Sequence, residues 1–138
     1  MKVITDTNKL FSAALSKNGK VAQTLFSDEY EFIVPHFTMV ELFKYKDKLI
    51  LLTKKPEVEV LEILYHILLQ VNFYNEKSLS LSSRQTAYNL CKDIDPKDSV
   101  FVALSLELDM PIWTGDKKLK KGLIAKASLI FLKFKGST

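Results

Sequence analysis

Apolar residues along this chain come in two spacings. Short runs such as Val3-Ile4-Thr5, Phe32-Ile33-Val34, Pro111-Ile112-Trp113-Thr114 and Leu129-Ile130-Phe131-Leu132 have the length and composition of buried strands. Val71-Asn72-Phe73-Tyr74 adds a shorter strand. Between these runs the apolar positions fall at helical spacing. Leu10, Phe11 and Ala14 mark a helix stopped by Lys17-Asn18-Gly19. Val21, Leu25 and Phe26 mark a second over Lys20–Ser27. Helix is expected from Phe37 to Tyr45 and on through Leu52. Pro56 opens a long helix carrying Val60, Leu61, Leu64, Ile67 and Leu68. Ser82 or Ser83 would cap a helix ending at Cys91. Asp95-Pro96-Lys97-Asp98 opens another, with Val100, Phe101, Ala103, Leu104 and Leu108 as its apolar face. Lys117 to Lys121 reads as a helical turn.

Strands that alternate with helices predict a three-layer α/β/α sandwich around a central, mostly parallel sheet. At 138 residues this is a single domain over the whole chain. In such sheets ligands gather beyond the carboxyl ends of the strands, where strand order reverses. The polar residues just after the strands are therefore the place to look for chemistry.

Two of them are acids. Asp6 follows Val3-Ile4-Thr5, and Asp116 follows Ile112-Trp113-Thr114-Gly115. Glu41 lies in the helix after the second strand, and Asp98 in the first turn of the helix before the strand at Ile112. Four carboxylates at one edge repel, by about 4 kcal/mol per pair at 4 Å in a medium of effective dielectric 20. Such a group persists when some acids keep a proton or a cation binds. An oxygen-only ligand set selects Mg²⁺ or Mn²⁺ over zinc. A hard cation of this kind polarises a phosphoryl oxygen and acidifies water, so phosphodiester hydrolysis is its natural use.

Each acid also has a plainer reading. Asp6 and Asp116 are well placed to cap helices, and Glu41 to be a solvated helix residue. Asp95 suits an N-cap, with Pro96 at the first helical position. Asp98 can both ease the helix dipole and face a metal. The functional reading stands on the joint placement of the acids.

Charge changes the picture only slightly. The formal net charge is +4, and every one of the 20 basic residues except Arg84 is a lysine. Anion contacts are then mostly point-charge contacts. Lys117, Lys118, Lys120 and Lys121 cluster after Asp116, either as a solvated face or as a basic rim for a nucleic-acid backbone. Lys9, Lys44, Lys46 and Lys48 would extend that rim.

The remaining signals exclude other chemistries. Cys91 is the single cysteine, so an intramolecular disulfide and a cysteine-based zinc site are excluded. His36 and His66 form no H-E-x-x-H pattern, and Gly-rich phosphate loops and a G-x-S-x-G elbow are absent. The early Asp6 and the lack of a long apolar stretch argue against a signal peptide or membrane span. A cytoplasmic protein is expected.

Four segments together resemble the PIN domain: Thr5-Asp6-Thr7-Asn8; Val40-Glu41-Leu42; Asp95-Pro96-Lys97-Asp98-Ser99-Val100-Phe101-Val102-Ala103-Leu104; and Pro111-Ile112-Trp113-Thr114-Gly115-Asp116. The likeness runs from about Lys2 to Phe134, and its most specific part is Asp95 to Leu119. It implies a PIN-like sandwich and an Mg²⁺- or Mn²⁺-dependent endoribonuclease of the VapC-toxin kind. The family's acidic positions fall on Asp6, Glu41, Asp98 and Asp116, as metal ligands and catalytic groups. Asn8 and Thr114 match auxiliary polar positions, and Asp95 is an extra acid beside the third. RNA substrate, a separate antitoxin chain and a homodimer are the partners implied. The rival expectation is a PIN-like RNA- or protein-binding module without turnover. A phosphoryl-accepting domain is a third, weakened because Asp6 is followed by Thr7-Asn8 and not by a second Asp two residues on.

Overall fold

The structure is a computed structural model and describes residues 1–127. Four strands form one parallel sheet in the order β3-β2-β1-β4: β1 (Lys2–Thr5), β2 (Glu31–Pro35), β3 (Asn72–Tyr74) and β4 (Ile112–Trp113). The chain therefore winds outward from β1 to β2 to β3, then returns to the other side of β1 for β4. The reversal falls between β1 and β4. Ile4 pairs with Ile112 there, and Thr5 with Trp113.

Alternation along each strand feeds two cores, which is why the strands read as unbroken apolar runs. Val3, Phe32, Val34 and Trp113 face one side. There they pack with residues of α1 (Thr7–Leu15), α2 (Lys20–Leu25), α3 (Phe37–Lys44), α4 (Lys46–Thr53) and α5 (Glu57–Gln70). Ile4 and Ile112 face the other, against α6 (Leu81–Cys91), α7 (Ser99–Leu108) and α8 (Lys117–Ala127). The expected three layers are present.

α5 and α7 show why a helix is legible in different ways. α5 buries a single stripe, Val60, Leu64 and Ile67, and exposes Val58, Tyr65 and Leu69. α7 buries five consecutive residues, Phe101 to Ser105, because it lies between the sheet and α6. Its C-terminal turn closes through Ser105, whose hydroxyl donates to the Met110 carbonyl, and through Asp109 in the left-handed region (φ 51°).

Three local expectations change. Ser80, not Ser82 or Ser83, caps α6, its hydroxyl accepting from the Ser83 N–H at 3.1 Å. The cap lies further upstream because Leu81 is already helical. The segment after Asp95 begins as a 3₁₀ turn, Pro96–Asp98, before α7 takes over. The turn after Asp116 runs on as a full helix to Ala127. The strand expected at Leu129–Leu132 lies outside the described residues. Among those described, no helix is long and apolar enough to cross a membrane.

Candidate metal centre at the sheet reversal

The pairing of Thr5 with Trp113 sets the next residues of β1 and β4, Asp6 and Thr114, side by side. The Thr5 hydroxyl donates to the Trp113 carbonyl at 3.1 Å and fixes this register. Thr114 then joins two acids. Its hydroxyl donates to Asp6 Oδ2 at 2.5 Å and accepts the Asp116 N–H at 3.1 Å. Asp6 Oδ1 accepts the Lys9 N–H at 3.0 Å, so Asp6 does cap α1 as a plain reading would have it. Only 4% of Asp6 is exposed. Burial pushes its carboxyl above the ordinary value, against the hydrogen bonds from Thr114 and Lys9, and the charge of Asp116 pushes the same way.

Asp116 likewise caps its helix, Oδ1 accepting the Leu119 N–H at 3.0 Å. Asp95 accepts the Lys97 N–H at 3.0 Å at the head of the 3₁₀ turn. Asp98 closes that turn. One carboxylate oxygen from each of Asp95, Asp98 and Asp116 lies within 4.8 Å of the others. Asp98 Oδ2 is buried and has no hydrogen-bond partner. Burial, then the charges of Asp95 and Asp116, then contact with Asp116 and the charge of Asp6 push the Asp98 carboxyl up to about 7.

Asp6 lies outside this close group, and so does Glu41. Glu41 projects from α3, and its Oε1 accepts the Thr7 hydroxyl at 2.7 Å. Thr7 is the residue after Asp6, so Glu41 is tied to the same strand end without joining the close cluster. Asn8 is exposed in the first turn of α1. Lys117, Lys118 and Lys121 are exposed on α8, and Lys120 is half-buried. Lys9 is folded inward. Its Nζ lies 4.7 Å from the centre of the Trp113 ring, and its chain end runs along Gly115. Burial lowers its ammonium below the ordinary value; the charge of Asp6 opposes this and that of Lys120 adds to it.

Sequence reasoning assigned Asp95 to capping and did not place it in the cluster. The spacing held the signal: Asp95 and Asp98 are three residues apart on one turn, and such pairs share a face. Likewise, the part Thr114 plays in joining Asp6 to Asp116 depends on strand register, which the sequence does not carry.

A group of acids with one buried, unpartnered oxygen is costly in isolation. The donors are all carboxylates, and the set fits a hard divalent cation. A family model described as the PIN domain matches residues 4–129. The chain belongs to the PIN domain family. A search of curated proteins finds no match. Among solved structures, this PIN domain is similar to the crystal structure of VapBC2 from Rickettsia felis bound to a DNA fragment from their promoter. The TM-score is 0.65 at 14% sequence identity, with 98% of this chain and 100% of that chain covered. At that identity the likeness is one of fold.

Proposed function

We propose that this PIN domain is a metal-dependent endoribonuclease, with Asp98 and Asp116 as its central ligands and Asp6 and Asp95 beside them. The observation that carries the reading is the buried, unpartnered oxygen of Asp98 within a group of three acids. PIN domains are generally nucleases that use a divalent metal, which supports the same reading. Bound Mg²⁺ or Mn²⁺ would supply a Lewis acid for the phosphoryl oxygen and a more acidic water.

The chain's own residues supply the rest. Thr114 holds Asp6 and Asp116 in fixed relation, and Asp6 is rigid because both of its oxygens are engaged. Lys9 brings a cation beside Asp6, where it offsets part of the negative charge. Lys117, Lys118, Lys120 and Lys121 offer point charges to the backbone of a single strand. Glu41, held by Thr7, is an outer acid of the site. The VapBC2 likeness makes a separate antitoxin chain the partner to test, with this chain as the toxin.

The test is RNA cleavage with Mg²⁺ or Mn²⁺ by the wild type and by Asp98→Asn and Asp116→Asn, alongside metal titration by calorimetry. Cleavage that survives in both variants would reject the site. Metal binding with no cleavage of any RNA would favour a binding module.

A further inference from the structure

A groove of about 360 Å³ lies beyond the acids on the same edge of the sheet. Its walls are the 3₁₀ turn Glu76–Ser78 that follows β3, the first turns of α6, and the start of α7. Leu79, Val100 and Ala103 give it an apolar floor; Lys77 and Arg84 stand on its rim, and Ser99 closes the end nearest the acids. Ser99 directly follows Asp98, and consecutive Cα atoms are only about 3.8 Å apart. The groove and the acid cluster therefore share the N-terminal end of α7.

Its charges are unbalanced in a way that suits a polyanion. Among the described residues, Lys77 and Arg84 form no ion pair. Glu76, the one acid on the wall, is already engaged. Its Oε2 accepts the Phe37 N–H at 2.9 Å, and its Oε1 lies 3.6 Å from His36 Nδ1. The larger cavity between α1, α2 and α5, about 570 Å³, differs on this point. Glu59 and Glu62 line it together with Lys17 and Lys55, so its formal charges balance. Arg84 is also the only arginine in the chain, and so the only side chain able to grip a phosphate with two parallel hydrogen bonds.

We propose that this groove seats the nucleotide next to the scissile phosphate of a single-stranded RNA, with the base on the apolar floor and the adjoining phosphate held by Arg84 and Lys77. The inference rests on the nuclease reading and gives it a direction: the strand runs from the acids along the start of α7 toward α6. A volume near the lower end of the range for small-ligand sites, about 300–1,000 Å³, fits one nucleotide unit.

The experiment compares the wild type with Lys77→Ala/Arg84→Ala and with Arg84→Lys, all changes of exposed side chains. The probe is a fluorescein-labelled pool of random-sequence single-stranded RNA. Cleavage is followed by initial rates with Mn²⁺, binding by anisotropy with Ca²⁺ at several salt concentrations, and Mn²⁺ affinity by calorimetry. In the double variant KM should rise about tenfold with kcat within about twofold, and the salt slope should fall by about 1.4, two single-strand contacts' worth. Arg84→Lys keeps the charge and loses the fork, so its KM should fall between the two with the wild-type salt slope, and Mn²⁺ affinity should match the wild type. Unchanged KM and salt slope in a wild type that cleaves would overturn the groove alone. So would a changed Mn²⁺ affinity, since the two side chains would then act through the acids and not on the RNA. A wild type that neither binds nor cleaves the RNA would remove the nuclease reading and the groove together.

Discussion

Two strand ends on one edge of the sheet handle a partly buried acid in opposite ways. Beyond β2 and β3, Glu76 has its partners: a backbone N–H from Phe37 and the imidazole of His36, itself stacked on Phe73 with ring centres 5.7 Å apart. Burial works to raise the Glu76 carboxyl, but these partners outweigh it and hold it below its ordinary value. Beyond β1 and β4, burial and then the charges of Asp95, Asp116 and Asp6 push the Asp98 carboxyl up to about 7. The first end is electrostatically complete within the chain. The second is complete only with a proton or a cation from outside. Fold alone does not set this difference, since both ends share the strand-to-helix geometry. The residues facing each carboxylate set it.

The largest effects are expected from removing one acid of the close cluster and one acid tied to the same strand end outside it. Asp98→Asn should lower RNA cleavage at least about a hundredfold, since a ligand and its charge are lost together. Glu41→Gln should cost less, on the order of tenfold, because Glu41 bonds to Thr7 and lies outside the close cluster. Parallel single-turnover rates read both effects. Equal losses in the two variants would make Glu41 a full member of the cluster.

The sequence carried the sheet and the edge further than it carried the site. β1, β2 and β4 were legible because strands covered on both faces are apolar without interruption, as at Phe32-Ile33-Val34. Strand-end acids were legible because Asp6 and Asp116 directly follow such runs. Which acids meet was not legible, since it depends on the Thr5–Trp113 register and on a 3₁₀ turn between Asp95 and Asp98. The cap at Ser80 was missed because three serines in four residues offer equivalent chemistry, and only the backbone chooses among them. Nor did spacing reveal that Lys9 turns inward over Trp113.

Thr114 supports the unpartnered end by joining two of its acids. Its hydroxyl donates to Asp6 and also receives the Asp116 N–H. Thr114→Val keeps the shape and deletes both bonds. Groups that orient metal ligands typically account for about 10–100-fold in affinity, and a loss in that range of Mn²⁺ affinity is expected by calorimetry. A variant with wild-type Mn²⁺ affinity would show that the strand register positions the acids without help from the hydroxyl.

The pH dependence of stability follows from Asp98. Its folded carboxyl sits at about 7 against an ordinary 3.8, so between those values the native state holds a proton that the unfolded chain has lost. Stability from this group is therefore fully present below pH 4 and declines as pH rises toward 7 and just above. Solvent screening at this half-exposed carboxyl leaves about 1–2 kcal/mol, or several degrees in Tm. Thermal melts in EDTA should show this decline in the wild type and a weaker one in Asp98→Asn. Adding Mn²⁺ should restore the wild type at pH 8, because the cation replaces the proton. Identical pH slopes in the two proteins would mean that the cluster relaxes its repulsion by moving apart.

The smallest effect belongs to the completed end. Glu76→Gln leaves an oxygen able to accept the Phe37 N–H but removes the charge that faces His36. Because the Glu76 carboxyl sits below its ordinary value of 4.5, its stabilisation is present above that pH and fades as pH falls through the lower folded value. Near neutral pH the substitution should cost about 0.5–1 kcal/mol, the scale of a partly exposed helix-end charge. At saturating RNA the cleavage rate should stay within about twofold of the wild type, since the partnered acid has no call on a cation, whereas a change in KM would report on the groove that Glu76 lines. Denaturant melts at pH 7 and pH 4 read the first effect, and the difference from the wild type should shrink at the lower pH. A large drop in cleavage on Glu76→Gln would mean that the two strand ends form one electrostatic site, and that the contrast drawn between them is false.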